Sequence, residues 1–337
     1  MGAGDRYPSE GELMGTRRRR MCRTWPGAAA ALVVGGVLLP AAGAHAAEGT
    51  RAAQASATAV VVGGDHVVYT AASGQTNKVF YWISGYSSDA TGREELQIGI
   101  DDIVPIAAGP GCEHPGADTE YPGDPTEVTC TFSDDSSAPR AYPRAILNLG
   151  DGNDTSLSNF PDRRFDVYGG PGNDTLNGTR YTSNGHPNPA GLGFENLHGG
   201  PGDDRLTNGR DMYGDDGIDT LTAGNNIWGG NGNDTLTGTA AVNSLDGGSG
   251  SDTIQGAGGR DYIYGRAGND HLYGGTGDDD VYGDSGNDVI YGNSGNDTIV
   301  GGPGNDVLSG GPGRNRVVGQ SADRSASTSG VLAYVEE

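Results

Sequence analysis

A strict nine-residue period limits what this chain can fold into more than any other feature of its sequence. The period recurs ten times from Gly229 to Val318. Its first residue is glycine in all ten repeats, its fourth is glycine in nine, its sixth is acidic in eight and its eighth is aliphatic in all ten. Because nine residues cannot bury a hydrophobic core alone, such a period predicts a solenoid in which each unit packs on its neighbours.

The residue types at these positions predict the local backbone. Glycines at positions one and four give access to backbone angles that other residues avoid, so positions one to six predict a tight turn with inward carbonyl groups. Positions seven to nine predict a minimal strand, with the aliphatic side chain inward and its two neighbours outward. Two repeats then close one coil of 18 residues. Stacked coils would form two parallel sheets around a thin aliphatic core.

This pattern resembles the repeats-in-toxin (RTX, hemolysin-type) nonapeptide G-G-x-G-x-D-x-U-x, where U is aliphatic. The resemblance covers roughly residues 149–318, about half of the chain. It implies an all-β fold, a parallel β-roll (two-sheet β-solenoid), that holds Ca²⁺ between the turns of successive coils. The ligands that it implies are the position-six aspartates and backbone carbonyl oxygens. An all-oxygen site of this kind suits Ca²⁺ and not zinc or copper.

The coil length changes along the chain and predicts two unequal columns of metal-binding turns. Successive turns are 15 residues apart from Gly199 to Gly229 and 18 apart from Gly229 to Gly301. The 15-residue coils keep the second aliphatic residue but lose the second glycine–aspartate turn. The first column contains Asp154, Asp174, Asp204, Asp219, Asp234, Asp252, Asp270, Asp288 and Asp306. The second column contains Asn243, Asp261, Asp279, Asp297 and Asn315.

The gaps between successive turns predict about ten Ca²⁺, within a range of eight to twelve. The first column has eight gaps and the second has two gaps between aspartates. The two gaps that involve Asn243 and Asn315 are expected to bind weakly or not at all. Coils about 4.8 Å apart would stack carboxylates whose charges repel one another when no cation is present. We therefore expect the metal-free chain to be largely unfolded and to fold on calcium.

The composition is that of an acidic repeat protein and not of a conventional globular domain. Glycine contributes 62 of the 337 residues, and the formal net charge is −23. So many glycines carry an ordering entropy that a sparse apolar content cannot offset by ordinary core packing. Nucleic acid is not an expected partner, because phosphate binding requires a basic surface. We expect a monomer whose partners are calcium ions.

The N-terminus has the features of an export signal. Arg17, Arg18, Arg19 and Arg20 form a basic segment, residues 28–42 are apolar, and Ala44-His45-Ala46 is a small-x-small cleavage site. Residues 1–46 are therefore predicted to be a signal peptide for the Sec or twin-arginine route, cleaved near Ala46, with no stable membrane span. The mature protein would be secreted, and residues 47–57 would be a flexible linker.

Residues 58–148 predict a small β domain or N-terminal cap. Short β-prone runs such as Val60-Val61-Val62 are separated by turn residues. Cys112 and Cys130 predict one disulfide in an exported protein, with two free thiols as the alternative. At the other end of the chain, residues 319–337 form a tail of linker-like composition.

No constellation of catalytic residues accompanies the repeats. Ser285 lies in a Gly-Asp-Ser-Gly segment like that around some serine nucleophiles, but it occupies the variable third position of a repeat. We expect a secreted, non-enzymatic calcium-binding protein. One alternative is a calcium-dependent adhesin or cell-surface module that binds a surface or glycan partner through residues 58–148 or outward tyrosines. Tyr264 with Tyr282 and Tyr273 with Tyr291 are expected to stack at position nine. A secreted hydrolase or toxin accessory is the other alternative.

Overall fold

The computed structural model describes nine parts of the chain. They are residues 56–63, 66–88, 94–116, 124–133, 145–159, 165–179, 195–320, 324–325 and 332–336. Every regular element within these parts is a β-strand. Among them there is no helix of the length and apolarity that a membrane span requires. The predicted signal peptide and residues 47–55 of the predicted linker lie outside the described residues.

Eight strands precede the first repeat coil, in the region predicted to be a β-rich cap. They are β1 (Ala57–Val62), β2 (His66–Thr70), β3 (Lys78–Ser88), β4 (Glu94–Asp101), β5 (Ile106–Ala108), β6 (Cys112–Glu113), β7 (Glu127–Ser133) and β8 (Ala145–Asn148).

Twenty further strands follow in the coils. They are β9 (Thr155–Asn159), β10 (Phe165–Tyr168), β11 (Thr175–Asn177), β12 (Asn196–Pro201), β13 (Arg205–Thr207), β14 (Asp211–Asp216), β15 (Thr220–Thr222), β16 (Asn226–Asn231), β17 (Thr235–Thr237), β18 (Ser244–Ser249), β19 (Thr253–Gln255), β20 (Tyr262–Ala267), β21 (His271–Thr276), β22 (Asp280–Ser285), β23 (Val289–Ser294), β24 (Thr298–Val300), β25 (Val307–Ser309), β26 (Arg316–Gln320), β27 (Arg324–Ser325) and β28 (Leu332–Glu336).

These strands form two sheets of 14 strands each. From β8 onward the even-numbered strands join the first sheet in chain order, and from β9 onward the odd-numbered strands join the second. All of these neighbours pair in parallel, with repeat positions in register; Ile263 of β20, for example, lies opposite Val281 of β22. The predicted two-sheet parallel β-solenoid is therefore confirmed.

The core of the coils is one aliphatic side chain wide on each sheet. The position-eight side chains point between the sheets and are at most 4% exposed. They include Val167, Leu176, Leu197, Leu206, Met212, Leu221, Ile227, Leu236, Leu245, Ile254, Ile263, Leu272, Val281, Ile290, Ile299, Leu308 and Val317. Each coil thus buries only two aliphatic side chains, as the period predicts.

The N-terminal strands continue both sheets. Strand β2 pairs in parallel with β8, and β3 pairs in parallel with β9. Strands β3, β4, β7 and β6 then follow one another as antiparallel neighbours. Their core is wider than that of the coils, since Tyr69, Tyr81 and Leu96 are fully buried there. A disulfide joins Cys112 to Cys130 across β6 and β7, which confirms the predicted pairing.

The C-terminal tail contains two short strands. Within residues 319–337 these are β27 and β28, and β28 lies in the apolar run that follows the linker-like residues. Strand β28 pairs in parallel with β26 over five residues, from Arg316 opposite Leu332 to Gln320 opposite Glu336. The short apolar run of the tail continues the coil register and so covers the last repeat strand of the first sheet, which would otherwise present an open edge.

Candidate metal centre

The structure brings the fourteen predicted site residues together in two columns. The first column lies where the chain passes from the first sheet to the second, and the second column lies where it returns. Their order along the solenoid is the predicted one. All fourteen residues are buried; the most exposed are Asp204 and Asn315, at 3% each.

Backbone hydrogen bonds connect each column residue to the next. Except for the last residue of each column, the N–H of every column residue donates to Oδ1 of the column residue one coil later, as Asp234 donates to Asp252 over 2.8 Å. These distances are 2.7–2.9 Å between the aspartates of the first column. They are 2.8–3.1 Å in the second column, which ends with Asp297 donating to Asn315. One carboxylate oxygen per turn is therefore satisfied by the protein.

The other carboxylate oxygen has no such partner. Among the described residues, no hydrogen bond reaches the buried Oδ2 of eleven column aspartates. These are Asp154, Asp174, Asp204, Asp219, Asp234, Asp252, Asp261, Asp270, Asp279, Asp288 and Asp297. A buried carboxylate oxygen without a donor is costly, so each of these atoms calls for a cation or a proton.

A glycine carbonyl oxygen of the next coil faces ten of these atoms, all except that of Asp154. A Cβ built on Gly274, the first residue of its turn, would lie 2.6 Å from Asp279 Oδ2 and 2.7 Å from the carbonyl oxygen of Gly292. Any side chain at position one would fill the space between these two oxygens. We call this space, bounded by a position-six Oδ2 and the position-one carbonyl of the next coil, the cradle.

Ten cradles of this form repeat along the two columns. Seven are in the first column, beside Gly169, Gly199, Gly214, Gly229, Gly247, Gly265 and Gly283. Three are in the second column, beside Gly256, Gly274 and Gly292. Two oxygens that face each other in a buried space form a donor set for a hard cation, since a calcium ion takes carboxylate and carbonyl oxygens together.

The cradle also corrects the reason for glycine at position one. The sequence predicted unusual backbone angles at positions one and four. Position four has them, with φ of 149° at Gly217 and 146° at Gly286. The glycines at position one do not; there the requirement is space. Position two instead adopts positive φ, and it does so even with a side chain, as at Arg266 (φ 79°).

Burial raises the pKa of the cradle carboxyls far above the usual value of 3.8. Desolvation is the largest cause, neighbouring aspartates add to it, and the backbone N–H on Oδ1 opposes it. The pKa rises to about 7 at Asp204, Asp234, Asp261 and Asp270. It rises to about 6 at Asp174, Asp219, Asp288 and Asp297. Removal from water disfavours the charged form unless a cation accompanies it.

The donors of each cradle are shared between side chain and backbone. No group of three or more His, Cys, Asp or Glu side chains converges on one point in the described parts of the chain. A metal ion here would therefore be held by carboxylate oxygens from the column together with glycine carbonyls. This donor set fits calcium and lacks the nitrogen and sulfur atoms that zinc sites use.

The two column asparagines take different orientations. Asn243 places Oδ1 beside Gly238, facing the carbonyl of Gly256, so an oxygen occupies the usual place of Oδ2. Asn315 places Nδ2 beside Gly310 and donates it to the Gly311 carbonyl over 2.9 Å. Asn243 therefore turns an oxygen towards its cradle, but that oxygen already accepts the Thr239 N–H over 2.8 Å; Asn315 turns no oxygen there.

One residue of the first column was missed by the sequence prediction. Asn77 immediately precedes β3, is fully buried, and donates its backbone N–H to Asp154 Oδ1 over 2.6 Å. It thus begins the same ladder of hydrogen bonds. Its segment has glycine at neither position one nor position four of a turn, so the nine-residue pattern contained no signal for it.

The outer faces of the sheets carry stacked aromatic rings. The predicted pairs are confirmed, with ring centroids 5.2 Å apart for Tyr264 and Tyr282 and 5.5 Å apart for Tyr273 and Tyr291. A longer stack on the first sheet was not predicted. It joins Tyr168, His198, Tyr213 and Trp228 at centroid distances of 4.5, 4.5 and 4.6 Å. We call this four-ring stack the aromatic ladder.

Comparison with known families agrees with this geometry. The family described as RTX calcium-binding nonapeptide repeat matches seven segments, at residues 167–181, 190–210, 213–245, 228–263, 246–281, 255–290 and 291–323. A comparison with curated proteins found no match. The matched segments coincide with the coils and their cradles, and RTX repeats of this kind bind calcium. Residues 167–323 therefore carry RTX calcium-binding nonapeptide repeats.

Proposed function

We propose that this chain is a secreted, non-enzymatic protein that holds about ten Ca²⁺ in its cradles and requires them to fold. The observation that carries the proposal is the buried Oδ2 atom facing a glycine carbonyl in ten successive cradles. A calcium ion between these oxygens would coordinate the Oδ2 atom, which accepts no hydrogen bond from the described residues. Residues 1–46 would direct export, residues 47–57 would be a linker, residues 58–148 would cap the repeats of 149–318, and residues 319–337 would close the other end.

The cradle geometry refines the expected number of ions. Both oxygens of a cradle come from the aspartate of one coil and the glycine of the next. The gap between Asp297 and Asn315 therefore has the same pair of oxygens as the aspartate gaps. The gap after Asn243 has a neutral amide oxygen in place of a carboxylate, and we expect weaker binding there. Ten ions remain the central value within the range of eight to twelve.

The free energy of binding ten ions is comparable to the stability of a domain. At about 1 mM calcium and a site Kd of about 0.1 mM, each ion contributes roughly 1.4 kcal/mol. Ten such ions contribute about 14 kcal/mol, whereas an ordinary domain is stable by about 5–15 kcal/mol. Calcium at extracellular concentrations would therefore decide whether the coils fold, which suits a protein that folds after export.

Counting bound calcium in two neighbouring variants tests the cradle assignment. Asp279 faces a cradle, while the preceding Asp278 is exposed and accepts a hydrogen bond from the N–H of Asn296. Both substitutions, Asp279→Asn and Asp278→Asn, remove one negative charge. Equilibrium dialysis at saturating calcium should give one ion fewer for Asp279→Asn and the wild-type number for Asp278→Asn. Equal counts in the two variants would refute the assignment.

Circular dichroism of the wild-type chain tests the requirement for folding. In excess chelator the β-strand signal should be largely lost, and it should return cooperatively on addition of calcium. Magnesium provides the control, because it demands a smaller octahedral site and should not restore the signal at equal concentration. Spectra that are the same with and without chelator would contradict the proposal.

A second candidate function is binding to a cell surface or glycan. The aromatic ladder favours it, because Tyr168 is 38% exposed and the ring edges line the outer face of the first sheet. The ring faces, however, cover one another, which favours a stabilising role for the ladder. A glycan panel probed with wild-type protein and a Trp228→Ala variant distinguishes the two, since surface binding requires a signal that the variant loses.

A further inference from the structure

The first column begins with an amide where every later turn has a carboxylate. Asn77 Nδ2 donates to the carbonyl oxygen of Leu149 over 2.8 Å and approaches the Gln75 carbonyl and Asp154 Oδ1 at 3.3 Å each. Leu149 holds position one of the turn that ends in Asp154. In the other cradles an aspartate Oδ2 faces the corresponding carbonyl; here an N–H donor does.

The consequence of this exchange is electrostatic. A carboxylate oxygen and a carbonyl oxygen repel each other until a cation or a proton lies between them. An amide N–H and a carbonyl attract each other directly, and the hydrogen bond is complete without any ion. The contact between Asn77 Nδ2 and the Leu149 carbonyl thus needs no ion, although Asn77 Oδ1 is buried and makes no hydrogen bond among the described residues.

The buried carboxylate at a second turn of the early coils is likewise hydrogen-bonded by the protein alone. Glu195 precedes β12 as Asn243 precedes β18, and its carboxylate is fully buried. Its Oε1 accepts from the Ser158 hydroxyl at 2.5 Å and from the Thr179 hydroxyl at 2.7 Å, while Oε2 accepts from the Thr179 N–H at 3.1 Å. The Glu195 carboxylate thus accepts hydrogen bonds from the protein, whereas the column carboxylates of later coils have an Oδ2 without a donor.

We propose that Asn77 ends the calcium column and replaces a cation there, so that the cap stays folded without calcium and offers the edge on which calcium-bound coils assemble. This inference rests on the proposed function for the coils themselves. The cap has two further supports that do not involve calcium, namely the disulfide between Cys112 and Cys130 and a wide apolar core that includes Tyr81 and Ile98. Folding would then proceed from the cap towards the C-terminus.

Hydrogen exchange measured by mass spectrometry on the full chain in chelator at pH 8 tests the folded cap. Peptides from residues 66–82 and 145–158 should exchange at least about tenfold more slowly than peptides from residues 238–318. If the cap peptides exchange as fast as the coil peptides, the inference is wrong. If the coil peptides remain as protected as the cap, the calcium requirement in the proposed function is wrong instead, and the ion count below then decides the role of Asn77.

The ion count of a charge variant tests Asn77 itself. Asn77→Asp places a carboxylate oxygen opposite Leu149 and should raise the number of bound calcium ions by one. Asn153→Asp adds the same charge at an exposed position beside Asp154 and should leave the number unchanged. Asn77→Ala removes the donor without adding an oxygen; it should leave the ion count unchanged and abolish the protection of the cap in chelator. An unchanged count in a folded Asn77→Asp variant would overturn the inference.

Discussion

The shortened coils of residues 195–231 and the full coils of residues 238–318 close their turns between the two sheets in different ways. A full coil turns twice through a nine-residue segment that begins with glycine, and it has a column carboxylate at each turn except those of Asn243 and Asn315. A shortened coil has only the first of these turns. Its second turn is closed by backbone hydrogen bonds, from the Arg210 N–H to Glu195 O at 2.7 Å and from the Asn225 N–H to Arg210 O at 3.1 Å.

The shortened coils also carry most of the side-chain ladders on the first sheet. Three of the four rings of the aromatic ladder belong to them. Beside these rings, Asn226 Nδ2 donates to Asp211 Oδ1 over 2.6 Å, and Asn196 Nδ2 donates to Asp166 Oδ1 over 2.7 Å. The comparison teaches that a parallel solenoid can hold a coil by side-chain stacking and amide hydrogen bonds where it lacks metal turns. We expect the full coils to depend on cations in proportion to their carboxylates.

The largest effect should come from pH in the absence of calcium. The pKa of Asp261 and Asp270 rises to about 7 in the folded state, against 3.8 for an ordinary aspartate. Groups with a raised folded-state pKa take up protons on folding. Their contribution to stability is therefore complete below about pH 4 and is lost as the pH rises through about 7. In chelator, the full coils should be protected from hydrogen exchange at pH 5 and unprotected at pH 8.

The same titration sharpens the comparison between the two regions. A shortened coil has one cradle carboxylate and a full coil has two, so the change in protection between pH 5 and pH 8, corrected for intrinsic exchange, should be smaller in residues 195–231. With calcium present, protons compete with the ion, and the calcium concentration for half-saturation should rise as the pH falls below about 7. Greater protection at pH 8 than at pH 5 in chelator would contradict the account.

A smaller effect is expected from filling one cradle. Gly274→Ala places a methyl group between Asp279 Oδ2 and the Gly292 carbonyl. We expect the loss of one calcium ion and of about 2–3 kcal/mol of stability in calcium, from overpacking together with the lost ion. Thr276→Ala, at an exposed position of the same turn, should change stability by no more than about 0.5 kcal/mol. A wild-type ion count for Gly274→Ala would show that cations lie elsewhere.

Removing a ring from the aromatic ladder should affect stability without affecting calcium. Tyr213→Ala removes contacts with His198 and Trp228, whereas Tyr282→Ala removes one contact, with Tyr264. At about 0.5–1.5 kcal/mol for each stacked pair, the ladder variant should lose about 1–3 kcal/mol and its counterpart about half of that. Denaturant unfolding in saturating calcium measures both values. A larger loss for Tyr282→Ala would remove the distinction between the regions.

Two serines of one strand at the border of cap and coils should have small effects of opposite sign. Ser156 holds position eight of β9, where later coils have aliphatic residues, and its buried hydroxyl has no hydrogen-bond partner among the described residues. Ser156→Ala should stabilise the protein by about 1 kcal/mol. Ser158→Ala should destabilise it by about 1–3 kcal/mol, because the Glu195 carboxylate loses a donor. Thermal unfolding of the two variants measures these changes, and the change in stability should have opposite signs in Ser156→Ala and Ser158→Ala.

The columns could be predicted from the sequence because a nine-residue period is local information. The order from Asp154 to Asp306 follows from counting, since each coil repeats the register of the last. The aromatic ladder was missed because its rings are 30, 15 and 15 residues apart, at the places where the coil length changes. Position nine of each shortened coil holds a residue with a ring, namely His198, Tyr213 or Trp228. That shared residue type was the sequence signal that could have predicted the ladder.

Other features depend on contacts between segments that the period does not describe. Asn77 lies in the cap, 77 residues before Asp154, and only the pairing of β3 with β9 brings the two together. The spatial role of glycine at position one needed the neighbouring coil, because its carbonyl bounds one side of the cradle. The β-prone runs of the cap were predicted, but the mixture of parallel and antiparallel pairing was not, since strand composition does not determine strand order.

The central claim concerns where the calcium ions lie, and anomalous scattering from crystals grown in calcium tests it most directly. The account predicts anomalous peaks in the ten cradles, each between a position-six aspartate Oδ2 and the glycine carbonyl of the next coil, with no peak between Asn77 and Asp154. Peaks scattered outside the turns, or cradles left empty at saturating calcium in an otherwise folded solenoid, would contradict it.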